Sequence, residues 1–234
     1  FIFNQLDNSL TSFSKLDGLS SINITALSYS EDKLLVGYSD GNIDIVENGK
    51  IINIPYIASA NILGNREIKN IFIESDLAYL SCSFGVVVVN LPNREIKETY
   101  YLSNDGTNTE VFEVYIFNEE INNSGDLFLS NKIFVATDKG LFYADKDENL
   151  LDYNAWNNNC KISLSKMSDQ YIYDVENIKV SAVKGFDKKE NGGKGLMIST
   201  DINYSTMAVP WTNDSEFNFF ILDDTSPFNM DNPL

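Results

Sequence analysis

Histidine is absent from the 234-residue chain. Its absence removes Ser-His-Asp and Cys-His nucleophiles, imidazole acid–base chemistry and His-ligated zinc together. Cysteine is nearly absent as well. Cys82 and Cys160 lie far apart and make neither a CxxC pair, a zinc set nor a disulfide framework. Cys82 stands in the apolar run Leu80-Ser81-Cys82-Ser83-Phe84, where a small buried thiol is expected, and a bridge to Cys160 is the less favoured reading. Basic residues are few: 17 Lys and Arg against 34 Asp and Glu, a net charge of −17. They are too scattered to track a phosphate backbone, so nucleic acid is not an expected partner. The same charge repels anionic lipid surfaces unless a metal ion intervenes, and its plainest role is solubility. No stretch approaches the roughly 18 apolar residues of a membrane span. The opening Phe1-Ile2-Phe3-Asn4 has no basic segment ahead of it, so no signal peptide is read there and a mature or trimmed product is expected.

What is present is a globular composition, 43% hydrophobic and 12% aromatic, well away from that of disordered chains. It is organised by a repeat. Leu34-Leu35-Val36-Gly37-Tyr38-Ser39-Asp40-Gly41-Asn42-Ile43-Asp44-Ile45 joins an apolar strand, small residues, a polar turn, a glycine and a second apolar strand. The layout returns in Ala78 to Val89 and in Ile133 to Ala144, and a weaker fourth copy ends in Gly193-Lys194-Gly195-Leu196-Met197-Ile198. The anchoring glycines Gly41, Gly85, Gly140 and Gly195 recur 44, 55 and 55 residues apart, close to the length of a propeller blade. A turn between paired strands favours a left-handed position, which glycine adopts freely. The small residues Gly37, Ser81 and Ala136 suit a strand near a crowded axis.

Two flanking strands complete each unit. Residues 22–29 and 50–54 serve the first copy, 68–74 and 95–102 the second, with Asn48-Gly49 and Pro92-Asn93 as turns. One such sheet cannot bury both faces, and stacking in a ring solves this while protecting strand edges. No apolar pattern of helical period persists. The expected fold is all-β, a β-propeller of four-stranded antiparallel blades within a larger multi-domain protein. A sandwich or solenoid is the rival. Residues 1–198 read as blades, the first partial, because Phe1-Ile2-Phe3-Asn4 looks like the second strand of an earlier copy. Residues 199–234 read as the start of a further blade or a second domain, with Phe217 to Leu222 as a first strand. Residues 118–130 read as a long loop projecting from one face.

Acidic residues need weighing because two carboxylates alone can run glycoside hydrolysis. Asp145-Lys146-Asp147-Glu148 reads as a solvated hairpin turn. Asp223-Asp224 is weak evidence for a pair, since neighbours on a strand point to opposite faces. Asn104-Asp105-Gly106-Thr107-Asn108 has the flavour of a Ca2+ loop without EF-hand spacing, and an Asx turn explains it equally well. Gly192-Gly193-Lys194-Gly195 lacks phosphate-loop spacing and precedes a strand. No catalytic, metal or cofactor site is therefore expected, with Ca2+ the one ion entertained. Trp156 and Trp211, both flanked by polar residues, are the candidate binding aromatics. Core packing is the favoured alternative for Trp156, and for Trp211 the two readings are even.

The turn Asp17-Gly18-Leu19-Ser20, followed by Ile24 to Tyr29 and Leu35-Val36-Gly37-Tyr38-Ser39-Asp40-Gly41, resembles the propeller repeat of two-component regulators. More narrowly, Leu34 to Asp44, the pair Tyr79-Leu80-Ser81 and Phe84-Gly85-Val86-Val87-Val88, and Leu151-Asp152-Tyr153-Asn154-Ala155-Trp156 resemble the amino-terminal propeller of the PorZ family of the Bacteroidota type IX secretion system. The resemblance covers about residues 1–160. It implies a non-catalytic, surface-exposed binding or scaffolding component of the attachment complex, associated with the outer membrane after periplasmic export. It also implies the sortase PorU, PorV and PorQ as partners, and a link to anionic lipopolysaccharide. Two propellers and a carboxy-terminal β-sandwich belong to that family, and neither a second complete propeller nor a sandwich is visible in these residues. The rival functions are a periplasmic glycan-sensing propeller of a hybrid two-component system and a carboxylate-dependent glycosidase or lyase.

Overall fold

The computed structural model describes residues 2–117, 131–158, 161–166, 169–174, 178–187, 194–200 and 218–223. Strands β1 (Ile2–Asn4) and β2 (Ser9–Thr11) form a hairpin, followed by one turn of 3-10 helix at Lys15–Asp17. Strands β3 (Ile24–Ser30), β4 (Lys33–Tyr38), β5 (Ile43–Glu47) and β6 (Lys50–Ile54) make the first four-stranded antiparallel sheet, in that order. After a short helix α1 (Tyr56–Ser59), β7 (Ile68–Glu74), β8 (Leu77–Cys82), β9 (Gly85–Asn90) and β10 (Glu95–Tyr100) make the second. The third consists of β11 (Val111–Phe117), β12 (Lys132–Thr137) and β13 (Gly140–Asp145), widened by an antiparallel bridge between Tyr143 and Asn157. A hairpin of β14 (Lys161–Lys166) and β15 (Asp169–Asp174) precedes a fourth sheet of β16 (Val180–Asp187), β17 (Lys194–Thr200) and β18 (Asn218–Asp223).

The leading strands β3, β7, β11 and β16 lie against one another in turn, so the sheets are the blades of a propeller with these strands innermost. Strand alternation explains why the middle strands are apolar throughout. In the second blade Ala78, Leu80, Cys82, Val87 and Val89 pack toward the first blade. Tyr79, Val86 and Val88 point the other way and pack on Val114, Ile133, Val135 and Phe142 of the third. Both faces of such a strand are core, so its sequence loses the polar half of the period.

Each blade carries one β-bulge at the same rung of its innermost strand, leaving Thr25, Lys69, Phe112 and Ser181 unpaired in the ladder. These positions are 44, 43 and 69 residues apart. The first two intervals give the true blade length, and the third is stretched by the β14–β15 hairpin. The bulge rung is where blades are tied by polar contacts. Thr25 Oγ1 donates to the Ile68 carbonyl at 2.6 Å. The buried Glu113 carboxylate accepts from Asn70 Nδ2 at 3.2 Å and from the Val183 amide at 3.0 Å, and pairs with Lys184 Nζ at 2.5 Å. One side chain thus bridges three blades. Gly37, with Ser81 and Ala136 at the equivalent rungs, lies on a second strand and not on the innermost one. Its smallness serves the neighbouring blade, because a Cβ there would stand 2.8 Å from Ile68 Cγ2.

The first blade differs from the others on one face. Counted from the bulge, Leu27 and Tyr29 occupy the positions of Ile71 and Ile73, of Val114 and Ile116, and of Val183 in its own blade. Ile71, Val114, Ile116 and Val183 are buried against the preceding blade, whereas Leu27 is 61% and Tyr29 69% exposed.

The Asp17-Gly18-Leu19-Ser20 turn is explained by its contacts. Ser14 and Asp17 form a capping box on the 3-10 turn, Gly18 closes it at φ 110°, and Leu19 is buried. Ser20 then donates from its amide (2.7 Å) and hydroxyl (2.5 Å) to Asp44, a fully buried carboxylate on β5. Tyr38 Oη (2.7 Å) and Asn53 Nδ2 (3.0 Å) complete the shell. Four donors and no cation hold this charge, which fastens the entry loop to three strands of the blade.

Two sequence expectations are revised in the fourth sheet. Gly41, Gly85 and Gly140 lie between the second and third strands of their blades at φ 83°, 144° and 121°. Gly195 does not: it pairs with Phe186 on one side and Asp223 on the other, at the start of a middle strand. The division at 198/199 also cuts a sheet. The β17–β18 register runs from Gly195↔Asp223 to Thr200↔Asn218, so 218–223 is the third strand of this blade and not the first strand of another.

Candidate binding groove between the second and third blades

Antiparallel connectivity brings the turn after β7, the strand β10 and the segment following β13 to one place. They enclose a groove of about 460 Å³ lined by Glu74, Asp76, Leu77, Tyr79, Lys97, Glu98, Tyr100, Ile133, Lys146, Glu148, Leu150 and Leu151, among others. In its floor Tyr100 Oη donates to Glu98 Oε2 at 2.7 Å, and the Tyr79 hydroxyl is held by Glu74. Lys146 of the third blade reaches across to ion-pair with Glu74 of the second. Lys97 lies 3.4 Å from Glu98. Asp76 and Glu148 stand exposed at the rim, and neither carboxylate has a hydrogen-bond or ion-pair partner among the described residues. Leu77, Leu150, Leu151 and Ile133 supply the apolar wall.

Burial, reinforced by the Glu74 carboxylate, pushes the Tyr79 phenol above its ordinary 10.0. Burial and the hydrogen bond to Glu98 do the same for Tyr100, and burial with the bond to Asp44 does so for Tyr38. All three stay protonated in the fold at a pH where the unfolded chain ionises. The unfolded state then binds fewer protons, so stability is complete below the unfolded value and falls as pH rises above it. Three such groups give a loss of about 4 kcal/mol per pH unit above pH 10, at about 1.4 kcal/mol each. The urea midpoint is expected to be flat to about pH 9.5 and to drop steeply beyond, with a shallower drop in Tyr79→Phe/Tyr100→Phe. Equal slopes in the two proteins would contradict this account.

The residues singled out from sequence fall elsewhere. Trp156 is not an exposed platform. Its ring is 6% exposed and lies 5.8 Å from the Tyr100 ring, behind the groove, with Nε1 donating to the Leu150 carbonyl at 3.0 Å. The 3-10 turn Tyr153–Ala155 directs it inward despite its polar neighbours. Trp211, Cys160, Asp224, residues 118–130 and Gly192-Gly193 lie outside the described residues. In the 104–108 loop Asp105 accepts from the Thr107 amide (2.9 Å), the Thr107 hydroxyl (2.6 Å) and the Ser103 hydroxyl. Those bonds hold its carboxyl well below the usual range. No set of three potential ligands close enough to share a metal occurs among the described residues. The 145–148 turn is braced by Lys132 on Asp145 (2.9 Å) and Asn131 on Asp147 (2.6 Å). Sequence reasoning missed the groove because its lining comes from separate stretches, each locally an ordinary turn or strand end.

No helix among the described residues is long and apolar enough to cross a membrane. No curated protein matches the chain. Among solved structures, PorZ, an essential bacterial surface component of the type-IX secretion system of Porphyromonas gingivalis, aligns at a TM-score of 0.51 and 18% identity, over 89% of this chain and 28% of that one. The computationally designed Ika4 protein aligns at 0.47 and 12%, over 88% and 94%. The β-propeller domain of Cps50 (Swd1) from Myceliophteria thermophila aligns at 0.44 and 10%, over 84% and 57%. At these identities the PorZ likeness speaks for the fold, and the chain spans about 28% of that structure's length. A family model describing the N-terminal β-propeller domain of PorZ in the type 9 secretion system matches residues 1–157, the stretch that holds the first three blades. The chain belongs to the PorZ N-terminal β-propeller family of the type IX secretion system.

Proposed function

We propose that this propeller is a non-catalytic, surface-exposed docking component of the type IX attachment complex, and that its partners are proteins: the sortase PorU together with PorV and PorQ. The observation that carries this reading is the acidic balance, −17 overall and four carboxylates against two lysines in the groove. Such a surface steers and complements a basic protein face and repels an anionic polysaccharide. The reading needs no cofactor. It is tested by using the tagged chain as bait on detergent-solubilised outer membranes of a type IX-secreting bacterium, with captured material identified by mass. Recovery of PorU with PorV or PorQ is the expected result, weakening as salt rises from 50 to 500 mM. Recovery of lipopolysaccharide alone would replace docking with glycan binding, and an empty eluate would overturn the assignment.

A further inference from the structure

We infer that the groove between the second and third blades is the docking point for one lysine or arginine side chain of the protein partner, a reading that rests on the docking role just proposed. The groove already holds one ammonium: Lys146, 72 residues from Glu74 in sequence, spans the gap between blades to reach that carboxylate. The floor carboxylates are engaged, Glu74 by Lys146 and Glu98 by the Tyr100 hydroxyl and Lys97. Both floor phenols donate inward to these carboxylates, which leaves the rim acceptors Asp76 and Glu148 as the free anionic groups of the groove. A second cation is therefore met at the rim and not in the floor.

The shape selects a long side chain over a bare cation. About 460 Å³ flanked by Leu77, Leu150 and the 61%-exposed Leu151 takes a flexible aliphatic stem, while the charged head lies against the carboxylates and stays in contact with water. An anionic sugar acid is disfavoured by the same four carboxylates. A small divalent ion is disfavoured because these residues do not group closely enough to share one.

The test has two arms on the folded chain. In the first, 15N-labelled protein is titrated with Nα-acetyl-lysine amide and, separately, with Nα-acetyl-norleucine amide, which has an apolar side chain and no charge. Saturable shifts of the Asp76, Leu77, Glu148 and Leu151 amides with lysine only are expected. Equal shifts with norleucine, or none with lysine, would overturn the groove assignment whatever its partners. In the second arm, Asp76→Asn/Glu148→Gln is compared with Glu31→Gln/Glu95→Gln, which removes the same charge elsewhere, as bait for PorU. At least tenfold less capture by the groove variant, less than twofold by the control and unchanged thermal midpoints are expected. Equal losses would show that charge alone, and not this groove, does the docking. If wild type captures no PorU while the lysine shifts persist, the partner assignment falls and the cation site stands.

Discussion

Gly85→Ala is expected to destabilise the protein by about 3–5 kcal/mol, combining left-handed backbone strain with a steric overlap that cannot relax. Gly85 opens β9 at φ 144°, and a Cβ built there stands 2.4 Å from the Tyr100 carbonyl oxygen. The obstacle is main chain of the adjacent strand β10, so relief means prying apart the ladder that runs from Val86↔Tyr100 to Asn90↔Glu95. Tyr100 also forms part of the groove floor and packs on Trp156, so the disturbance spreads into the core between blades two and three. Gly49→Ala is the control. It sits at φ 72° with nothing within 4 Å of the added carbon, so only backbone strain of about 1–2 kcal/mol applies. Urea unfolding followed by far-UV circular dichroism reads both. A Gly85→Ala loss within 1 kcal/mol of the Gly49→Ala loss would refute the steric argument.

Asp44→Ala comes next, with an expected loss of about 3–5 kcal/mol, because truncation strands several buried donors at once. The Ser20 amide and hydroxyl, the Tyr38 hydroxyl and the Asn53 amide all converge on this one carboxylate, which has no exposure to water. Ser20→Ala removes one donor and keeps the acceptor, so it should cost about 1–2 kcal/mol. The two variants separate a network from a single bond. Limited proteolysis adds a local readout: Asp44→Ala should speed cleavage within residues 14–22, since the entry loop loses its fastening. A stability loss below that of Ser20→Ala, with unchanged proteolysis, would mean that Asp44 is not the anchor described.

How much was legible in the sequence depended on which surfaces an element buries. Strands β4 and β5, β8 and β9, β12 and β13 are core on both faces, so they read as continuous apolar runs broken at a fixed place by a turn glycine. The flanking strands 68–74 and 50–54 also match the expected bounds. The bulges were invisible, because an extra unpaired residue is fixed by backbone geometry and Thr25, Lys69, Phe112 and Ser181 share no chemistry. Gly195 misled for the converse reason: a glycine beside an apolar run resembles the repeat whether it precedes the second or the third strand. Trp156 was ambiguous because its neighbours Asn157 and Asn158 are polar, while a 3-10 turn, not composition, sets its direction. The groove needed three distant stretches to meet, and no local pattern records that.

The uncovered face of the first blade has a colloidal consequence. Leu27 and Tyr29 offer water the surface that each later blade gives to its neighbour, alongside Ile22 at 75% and Ile24 at 45% exposure. Mutual repulsion between molecules carrying −17 opposes their sticking through it in dilute buffer. Sulfate both shortens the range of that repulsion and strengthens apolar contact, so precipitating salts turn the same patch into an adhesive.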